Sequence, residues 1–594
     1  MTKYNSFHFS PENNRSMLMP RLPKQEAFAK AMEGHKTRAK YPLVPEEKLN
    51  KNPYFQCNLG MHLKDLELEG GKRTYGIYVP DGMISKGAGL VLFLPSEIRA
   101  ADFVAYENWQ ALSEKYHTAV FLLESGSDGW TRESLEADFD FAWGVVSREF
   151  SGRLTVDVCE SYFYPIGLGD AAAVAASFAL TYSATFPAFA VDGDCDVDPE
   201  LLDTLRALPS DGVKTLKKTD IAMPAFVTDR KGHGAALKNY LCQLMGWDGS
   251  AAYQNEYGEV YPQKPHAGAW FVNDQPTAEV WYGTGSEDLS REEWNEAMVR
   301  FVLRWSLWGG SGNNHLRRKE SSAQMGMLRV ELEVNGLPRF YDVYVPSCYR
   351  PGDKKQYPLV LAIHGMSCNA EYFEKTSEWH RVAEERGFFV AYASAYPYND
   401  GLARFPVPHW ALKTMDVEPQ DELTYFRRLL EQMEANYPID PKRIYAAGHS
   451  NGGQMTQVLL REMPEKFAAF GPTGSLLGWR EDQVELPGKD IVCPVWLIMG
   501  EYDVANPEPR ENAMAQRTIA AYAESNGAVS SGGWYDNGIY HTLSLYNTAH
   551  IPVVRYTIMQ GCPHTYTAEM AELTWNEWFS HFTREPDGSA VYHG

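Results

Sequence analysis

Ser450 lies in Gly448-His449-Ser450-Asn451-Gly452, between the short apolar run Tyr445 to Ala447 and a helix-like stretch from Gln454 to Arg461. A serine in a Gly-x-Ser-x-Gly strand-to-helix turn stands clear of the sheet edge, and the small flanking residues let strand and helix approach closely. Its chemistry would be nucleophilic attack on an acyl carbon. That chemistry needs a base for the hydroxyl proton, a carboxylate to orient the base, and two backbone N–H donors for the oxyanion.

On a doubly wound hydrolase sheet the partners follow in the order Ser, Asp or Glu, His. The apolar strand Val495 to Met499 runs into Gly500-Glu501-Tyr502-Asp503, where Asp503 is the expected orienting acid and Glu501 the fallback. Of the five later histidines, His541, His550, His564, His581 and His593, only His564 directly follows a strand (Val553 to Met559) and precedes a helix. His541 and His550 come before that strand and are expected at its other end. His564 is therefore the expected base. The backbone N–H groups of Asn451 and of Met366, in the loop His364-Gly365-Met366, are the expected oxyanion donors. His364 and His449 flank the site and read as structural, with His364 also placed to touch substrate. Cys368 and Cys562 have no elbow and no basic neighbourhood to make a competing nucleophile. Aromatic residues fall in the loops expected at the mouth: Tyr372, Phe373, Trp379, Phe405, Trp410, Trp479 and Tyr502. Of these, Tyr372, Trp379, Trp410, Trp479 and Tyr502 are, with His364, the candidate substrate-binding set.

The elements that position these residues occur twice. Glu67-Leu68-Glu69 leads through Arg73 to Tyr78-Val79-Pro80, and Glu331-Leu332-Glu333 leads through Arg339 to Tyr344-Val345-Pro346. Each segment continues into an apolar strand (Leu90 to Leu94; Leu359 to Ile363), a helix-like stretch and another strand (Thr118 to Leu123; Phe388 to Ala393). Strands separated by helices pair in parallel through crossover connections. The expected class is α/β, with two tandem doubly wound, mostly parallel sheets of α/β-hydrolase type. The expected divisions are an N-terminal arm (1–59, with one helix from Lys24 to Glu33), a first domain (60–312), a flexible surface linker (313–325), a second domain (326–586) and a tail (587–594). The join itself reads Gly309-Gly310-Ser311-Gly312-Asn313-Asn314, followed by the basic run Arg317-Arg318-Lys319. In the first copy the elbow aligns with Gly167-Leu168-Gly169-Asp170-Ala171, so that glycine replaces the nucleophile. Asp229 to His233 and Gly285-Ser286-Glu287-Asp288 stand where acid and base belong, and Pro95-Ser96 stands in the oxyanion loop. The first domain is therefore expected to be inactive. The acidic run Asp192 to Asp198 lacks the glycine of a calcium loop and reads as solvated.

A chain of 594 residues with 44% hydrophobic and 22% charged residues has ample material for two cores. Its net charge of -22 excludes nucleic acid as a natural partner, because that affinity rests on Lys and Arg neutralising phosphates. The polar first 49 residues show no apolar run of signal-peptide length, and no window reaches membrane-span length. Eight scattered cysteines without Cys-x-x-Cys spacing point away from a zinc site or disulfide framework. The expected setting is cytoplasmic, with no membrane partner, and the oligomeric state is open to a homo-oligomer.

Ile363-His364-Gly365, Asn369, Tyr372-Phe373, Ser377, Trp379, Ala383 to Phe388, and Asp440-Pro441 through Ser450-Asn451-Gly452-Gly453 and Met455 resemble the polyhydroxybutyrate depolymerase and feruloyl/acetylxylan esterase group. The resemblance spans nearly the whole second domain. It implies an α/β-hydrolase fold, a triad of Ser450, Asp503 and His564, and esters of hydroxy acids, hydroxycinnamates or acetylated sugars as substrates; no cofactor or metal is expected. The loop Asp400 to Trp410 departs from the group's pattern. Together with the aromatic loops, the expectation is a serine carboxylic-ester hydrolase acting on a small aromatic or apolar ester. A serine peptidase, amidase or acyltransferase on the same triad is the alternative, and a non-catalytic scaffold a further one.

Overall fold

Two apolar runs, Gly87–Phe93 and Tyr357–Ile363, are buried along almost their entire length. A strand with no solvated face belongs in the interior of a parallel sheet covered by helices on both sides. Each run occupies that place in a ten-stranded sheet. The structure is a computed structural model and describes residues 45–68, 71–152, 154–183, 185–207, 222–247, 249, 252–263, 278–308, 315–352, 354–398, 405–412, 421–477, 486 and 491–594. The expected helix Lys24 to Glu33, the glycine-rich join Gly309 to Asn314, the loop residues Asp400 to Arg404 and Trp479 lie outside the described residues.

The first sheet comprises β1 (Gly60–Leu68), β2 (Gly71–Val79), β3 (Gly87–Phe93), β4 (Ala119–Leu123), β5 (Val158–Gly169), β6 (Phe189–Gly193), β7 (Ala225–Asp229), β8 (Tyr253–Asn255), β9 (Gly258–Pro262) and β10 (Glu279–Gly283). The second comprises β11 (Met327–Val334), β12 (Leu337–Tyr344), β13 (Tyr357–Ile363), β14 (Phe389–Ala393), β15 (Ile439–His449), β16 (Ala469–Thr473), β17 (Val495–Tyr502), β18 (Ser530–Asn537), β19 (Tyr540–Tyr546) and β20 (Pro552–Pro563). The spatial order is β1-β2-β4-β3-β5-β6-β7-β10-β9-β8 in one and β11-β12-β14-β13-β15-β16-β17-β20-β19-β18 in the other. Strand for strand, the two orders are the same. In each sheet the run of central strands is parallel and the edges are antiparallel hairpins. This is the doubly wound α/β-hydrolase-type arrangement, present twice in tandem.

Alternation along each central strand sends side chains to two separate cores. Val91 and Phe93 join Phe178 of α1 (Ala172–Thr181) on one face, while Leu90 and Leu92 join Trp294 and Phe301 on the other. In the second unit, Leu359, Leu361 and Ile363 pack with Phe426 and Met455, and Val360 and Ala362 with Trp379 and Phe579.

Two sequence expectations are corrected here. The basic run after the join is no free linker: residues 315–318 pair antiparallel with Trp305–Trp308. Arg317 is ion-paired to Glu378, and the Arg318 guanidinium lies 3.8 Å above the Trp305 ring. The ring face attracts the cation, and Glu279 pairs with its other end. His541 does not lie at the far end of the last long strand, because β19 turns back antiparallel and sets it opposite Ile558. It is stacked on Trp534 and bonded to Asp536.

The tightest approach in the second unit is at Gly452, where an added Cβ would sit 2.1 Å from the Ile363 carbonyl oxygen and 2.3 Å from that of His364. Neither main-chain atom can rotate away. Gly452→Ala should therefore cost about 2–4 kcal/mol, a value for overpacking against immobile atoms. Gly126→Ala, whose new methyl would meet nothing within 4 Å, is the control. Thermal unfolding followed by circular dichroism should show a clear loss for the first variant and almost none for the second.

Candidate active site

β15 ends at His449, and α2 (Asn451–Glu462) begins two residues later. Ser450 takes the whole turn with φ 55° and ψ −118°. For a residue with a Cβ this conformation costs about 1–3 kcal/mol and persists only where the surroundings over-determine it. They do so here: the Ser450 N–H donates to the Thr473 carbonyl at 2.9 Å. At Gly448 any Cβ would lie 2.3 Å from the Gly452 carbonyl oxygen, so strand and helix meet backbone to backbone.

His564 stands in the loop just beyond β20, with Nε2 2.9 Å from Ser450 Oγ and Nδ1 2.6 Å from Asp503 Oδ1. The Asp503 side chain is 2% exposed. Parallel pairing of β17 with β20 carries Asp503 and His564 to the same end of the sheet. Glu501, the fallback acid, instead accepts the Gly561 N–H at 2.7 Å and shapes the loop leading to His564. Burial works against a charged His564, but the charge and hydrogen bond of Asp503 outweigh it and hold its pKa above the ordinary histidine value. The His449 ring packs 4.7 Å from the His564 ring, centroid to centroid. Burial first, and the neighbouring His564 second, push the pKa of His449 well below the ordinary value. A neutral His449 leaves His564 free to accept a proton without a like charge beside it.

His364 lies behind the loop rather than in the mouth. It is fully buried, and its Nε2 accepts the Ala395 N–H at 3.0 Å. The ring proton is then on Nδ1, which donates to the Gly365 carbonyl at 2.6 Å. That carbonyl belongs to the peptide unit whose other end is the Met366 N–H. In a trans peptide the two point in opposite directions, so holding the carbonyl aims the N–H. Trp410 makes the companion link: its indole N–H donates to the His364 carbonyl at 2.8 Å, and its backbone N–H to Asn451 Oδ1 at 2.7 Å. Asn451 returns the bond through Nδ2 to the Trp410 carbonyl at 3.3 Å. The loop carrying Met366 and the helix end carrying Asn451 are thus tied through one tryptophan.

The aromatic mouth expected from the sequence is largely not there. Trp379 and Trp410 are fully buried, and Phe373 and Phe405 nearly so. Trp379, at the start of the helix Trp379–Arg386, stacks on Phe579, and Trp410 packs on Phe426, so both flat rings fill space between sheet and helices. Tyr372 faces the first unit, bonded to Glu160 and edge-on to Trp308. Of the proposed rings among the described residues, only Tyr502, beside Asp503, is half-buried at this end of β17. The roles of Thr473 and of the Trp410 backbone were not readable beforehand. Nothing in a Thr or Trp codes for a main-chain partner brought in from another strand.

The first unit has the same turn. Phe93 pairs with Gly167 as Ile363 pairs with Gly448, which sets Gly169 in the place of Ser450, Asp170 in that of Asn451 and Ser96 in that of Met366. Gly169 has φ 60°. Asp170 Oδ1 accepts the Ser96 N–H at 3.0 Å and Oδ2 its hydroxyl at 2.5 Å, so a carboxylate of the same unit lies on the N–H that corresponds to that of Met366. Arg230 and Arg291 converge on Asp192 nearby. In the acidic loop Asp198 pairs with Arg132 and Asp194 with His233. Among the described residues no group of His, Cys, Asp and Glu is arranged to hold a metal ion, and no helix is long and apolar enough to cross a membrane.

Burial pulls the pKa of both His364 and His380 down to about 3. Unfolding returns them to the ordinary value near 6.5, so between 6.5 and 3 the unfolded chain binds protons that the folded chain refuses. Stability should therefore fall as pH drops through that window. In His364→Gln that fall should be shallower by up to about 1.4 kcal/mol per pH unit, one proton's share. Urea unfolding midpoints at pH 7 and pH 5 for both proteins provide the comparison.

Residues 337–497 match the family model described as "Putative esterase". The chain is 30% identical over 189 residues to the bifunctional acetylxylan esterase/xylanase XynS20E of Neocallimastix patriciarum, which covers 32% of this chain and 24% of that protein. It is 31% identical over 129 residues to poly(3-hydroxyalkanoate) depolymerase C of Paucimonas lemoignei, covering 22% of this chain and 29% of that protein. The match to the putative esterase NocK of Nocardia uniformis subsp. tsuyamanensis is 25% identical over 215 residues, 33% of this chain and 60% of the relative. The chain spans less than two thirds of each of these relatives. Over the matched residues, the second unit is similar to these esterases.

Proposed function

We propose that the protein is a serine carboxylic-ester hydrolase whose centre is Ser450, His564 and Asp503. The observation that carries this reading is the unbroken chain Ser450 Oγ to His564 to Asp503 at 2.9 and 2.6 Å, built on a strained elbow. His564 takes the Ser450 proton as Oγ attacks the ester carbonyl, and the resulting oxyanion is held by the N–H groups of Met366 and Asn451. The imidazolium, stabilised by Asp503, then protonates the departing alcohol, leaving an acyl-serine. Water enters, gives its proton to His564 and attacks the acyl carbon; the carboxylic acid leaves as the proton returns to Ser450. The esterases and depolymerase to which the chain is similar support ester rather than amide cleavage.

The acyl group is a short one. Phe405 and Val407 pack against Met366 and fill the space beside the oxyanion loop, while Trp379 and Trp410 are enclosed in the core. Little ring surface among the described residues is left for a hydroxycinnamoyl group. Turnover of 4-nitrophenyl acetate should accordingly exceed that of 4-nitrophenyl ferulate in kcat/KM; the reverse ranking would restore the aromatic substrate.

Ser450→Ala should lower kcat by several orders of magnitude and abolish labelling by a fluorophosphonate. An undiminished adduct in that variant would refute the nucleophile. Because Asp503 holds the His564 pKa up, the acid limb of kcat/KM against pH should lie above 6.5 in the wild type. In Asp503→Asn burial acts alone, so the limb should move to lower pH while the rate falls by about 10⁴. Adding Gly169→Ser to Ser450→Ala should restore nothing, since the first unit's carboxylate already fills its oxyanion position.

A further inference from the structure

Ser367 follows the proposed donor Met366, is fully buried and has φ 59°, a second left-handed residue with a side chain in the same site. Its N–H donates to the Pro408 carbonyl at 2.7 Å, within the second unit. Its carbonyl oxygen lies 3.1 Å from the hydroxyl of Ser85, a residue of the first unit between β2 and β3. Two residues on, Asn369 donates from Nδ2 to the Ser85 carbonyl at 2.9 Å, while its Oδ1 accepts the Tyr372 N–H and caps the helix Ala370–Ser377. The oxyanion loop is therefore gripped at both 367 and 369 by one residue of the other unit.

That residue is itself held. The Ser85 hydroxyl also contacts the Asp157 carboxylate at 2.5 Å, so its single proton has two acceptors within reach, that group and the Ser367 carbonyl. Gln56 donates to the carbonyls of Ile84 and Asp157 at 3.0 and 2.9 Å and accepts the Asp157 N–H at 3.1 Å. Beside the loop, Cys57 packs with Phe405 and Val407 against the Met366 side chain. Burial raises the Cys57 pKa to about 11, so it stays a neutral thiol and serves as a small apolar wedge.

We infer that Ser85 is a positioning residue for the ester-cleaving centre, and that the first unit, its own oxyanion position filled, serves as the brace that holds the Met366 N–H in line. This rests on the reading of Ser450 and Met366 given above. The physical reason is the left-handed Ser367. A conformation costing about 1–3 kcal/mol relaxes unless its neighbours forbid it; rotation at Ser367 would shift the Met366–Ser367 peptide and, through Met366, the Gly365–Met366 peptide that carries the donor. Donors to an oxyanion act in the transition state alone, so their misplacement lowers kcat rather than raising KM.

The test uses the full chain with two variants. Ser85→Ala removes the hydroxyl. Asn369→Asp keeps the helix-capping oxygen but turns the donor facing the Ser85 carbonyl into an acceptor. Each should lower kcat for 4-nitrophenyl acetate about tenfold or more, with KM within about threefold. Affinity for a boronic acid, which mimics the tetrahedral intermediate, should weaken by the same factor. The acid limb of the pH profile should stay in place, because His564 and Asp503 are untouched. Wild-type kcat and boronate affinity in both variants would overturn the brace. So would parallel shifts of kcat, KM, pH profile and melting temperature, which would mean general damage. Ser450→Ala run alongside separates the two readings: retained activity there would sink the nucleophile, whereas its loss with unimpaired Ser85 and Asn369 variants would sink the brace alone.

Discussion

The second unit depends on one close approach. Strand β15 and helix α2 meet at Gly448 and Gly452 with no side chain between them, and the same glycine lies against the carbonyls of Ile363 and His364. Backbone packed on backbone leaves Ser450 no option but a left-handed turn that lifts its hydroxyl above the sheet. The contact at Gly452 also joins the elbow to the end of β13, from which the oxyanion loop departs. The proposed nucleophile and oxyanion donors are thereby set relative to each other by main-chain atoms, which move least.

Around that contact the polar groups are nested. His364 holds the Gly365 carbonyl, Trp410 holds His364 and Asn451, and Glu501 holds the loop before His564. Each of these side chains spends its hydrogen bonds on backbone. A buried polar group left unpaired costs about 1–3 kcal/mol, so every link favours a single arrangement. His449, kept neutral by burial, belongs to the same scheme by withholding a positive charge from the neighbourhood of His564.

The first unit builds the same strand order around a different set of side chains. Its elbow keeps the left-handed φ, now at a glycine for which it is inexpensive, and Asp170 satisfies the N–H that would otherwise await an anion. The strand order is the same in both units, while Gly169 stands where the second has Ser450 and Asp192 is ion-paired to Arg230 and Arg291. Sheet topology is decided by the hydrophobic pattern of buried strands, which tolerates any residue at a loop tip. Chemistry lives in those tips and can vary independently of the fold.

The linear chain determined a good deal. Alternating strands and helices, the two similar openings at Glu67 and Glu331, and the glycine spacing at 448 and 452 are local signals, and local signals survive in one dimension. The tandem α/β arrangement was legible for that reason, as was the grouping of Ser450, Asp503 and His564 at strand ends. Side-chain burial was not. Trp379 and Trp410 read as mouth aromatics because they fall in loops, yet packing between sheet and helix enclosed them; no local rule states which loop residue turns inward. His541 was misplaced because only the hairpin β19–β20 decides which end of the sheet it reaches. The grip of Ser85 on Ser367 and Asn369 joins residues 282 and 284 positions apart. Contacts of that separation are set by how two folded units dock, and only the tertiary structure could decide them.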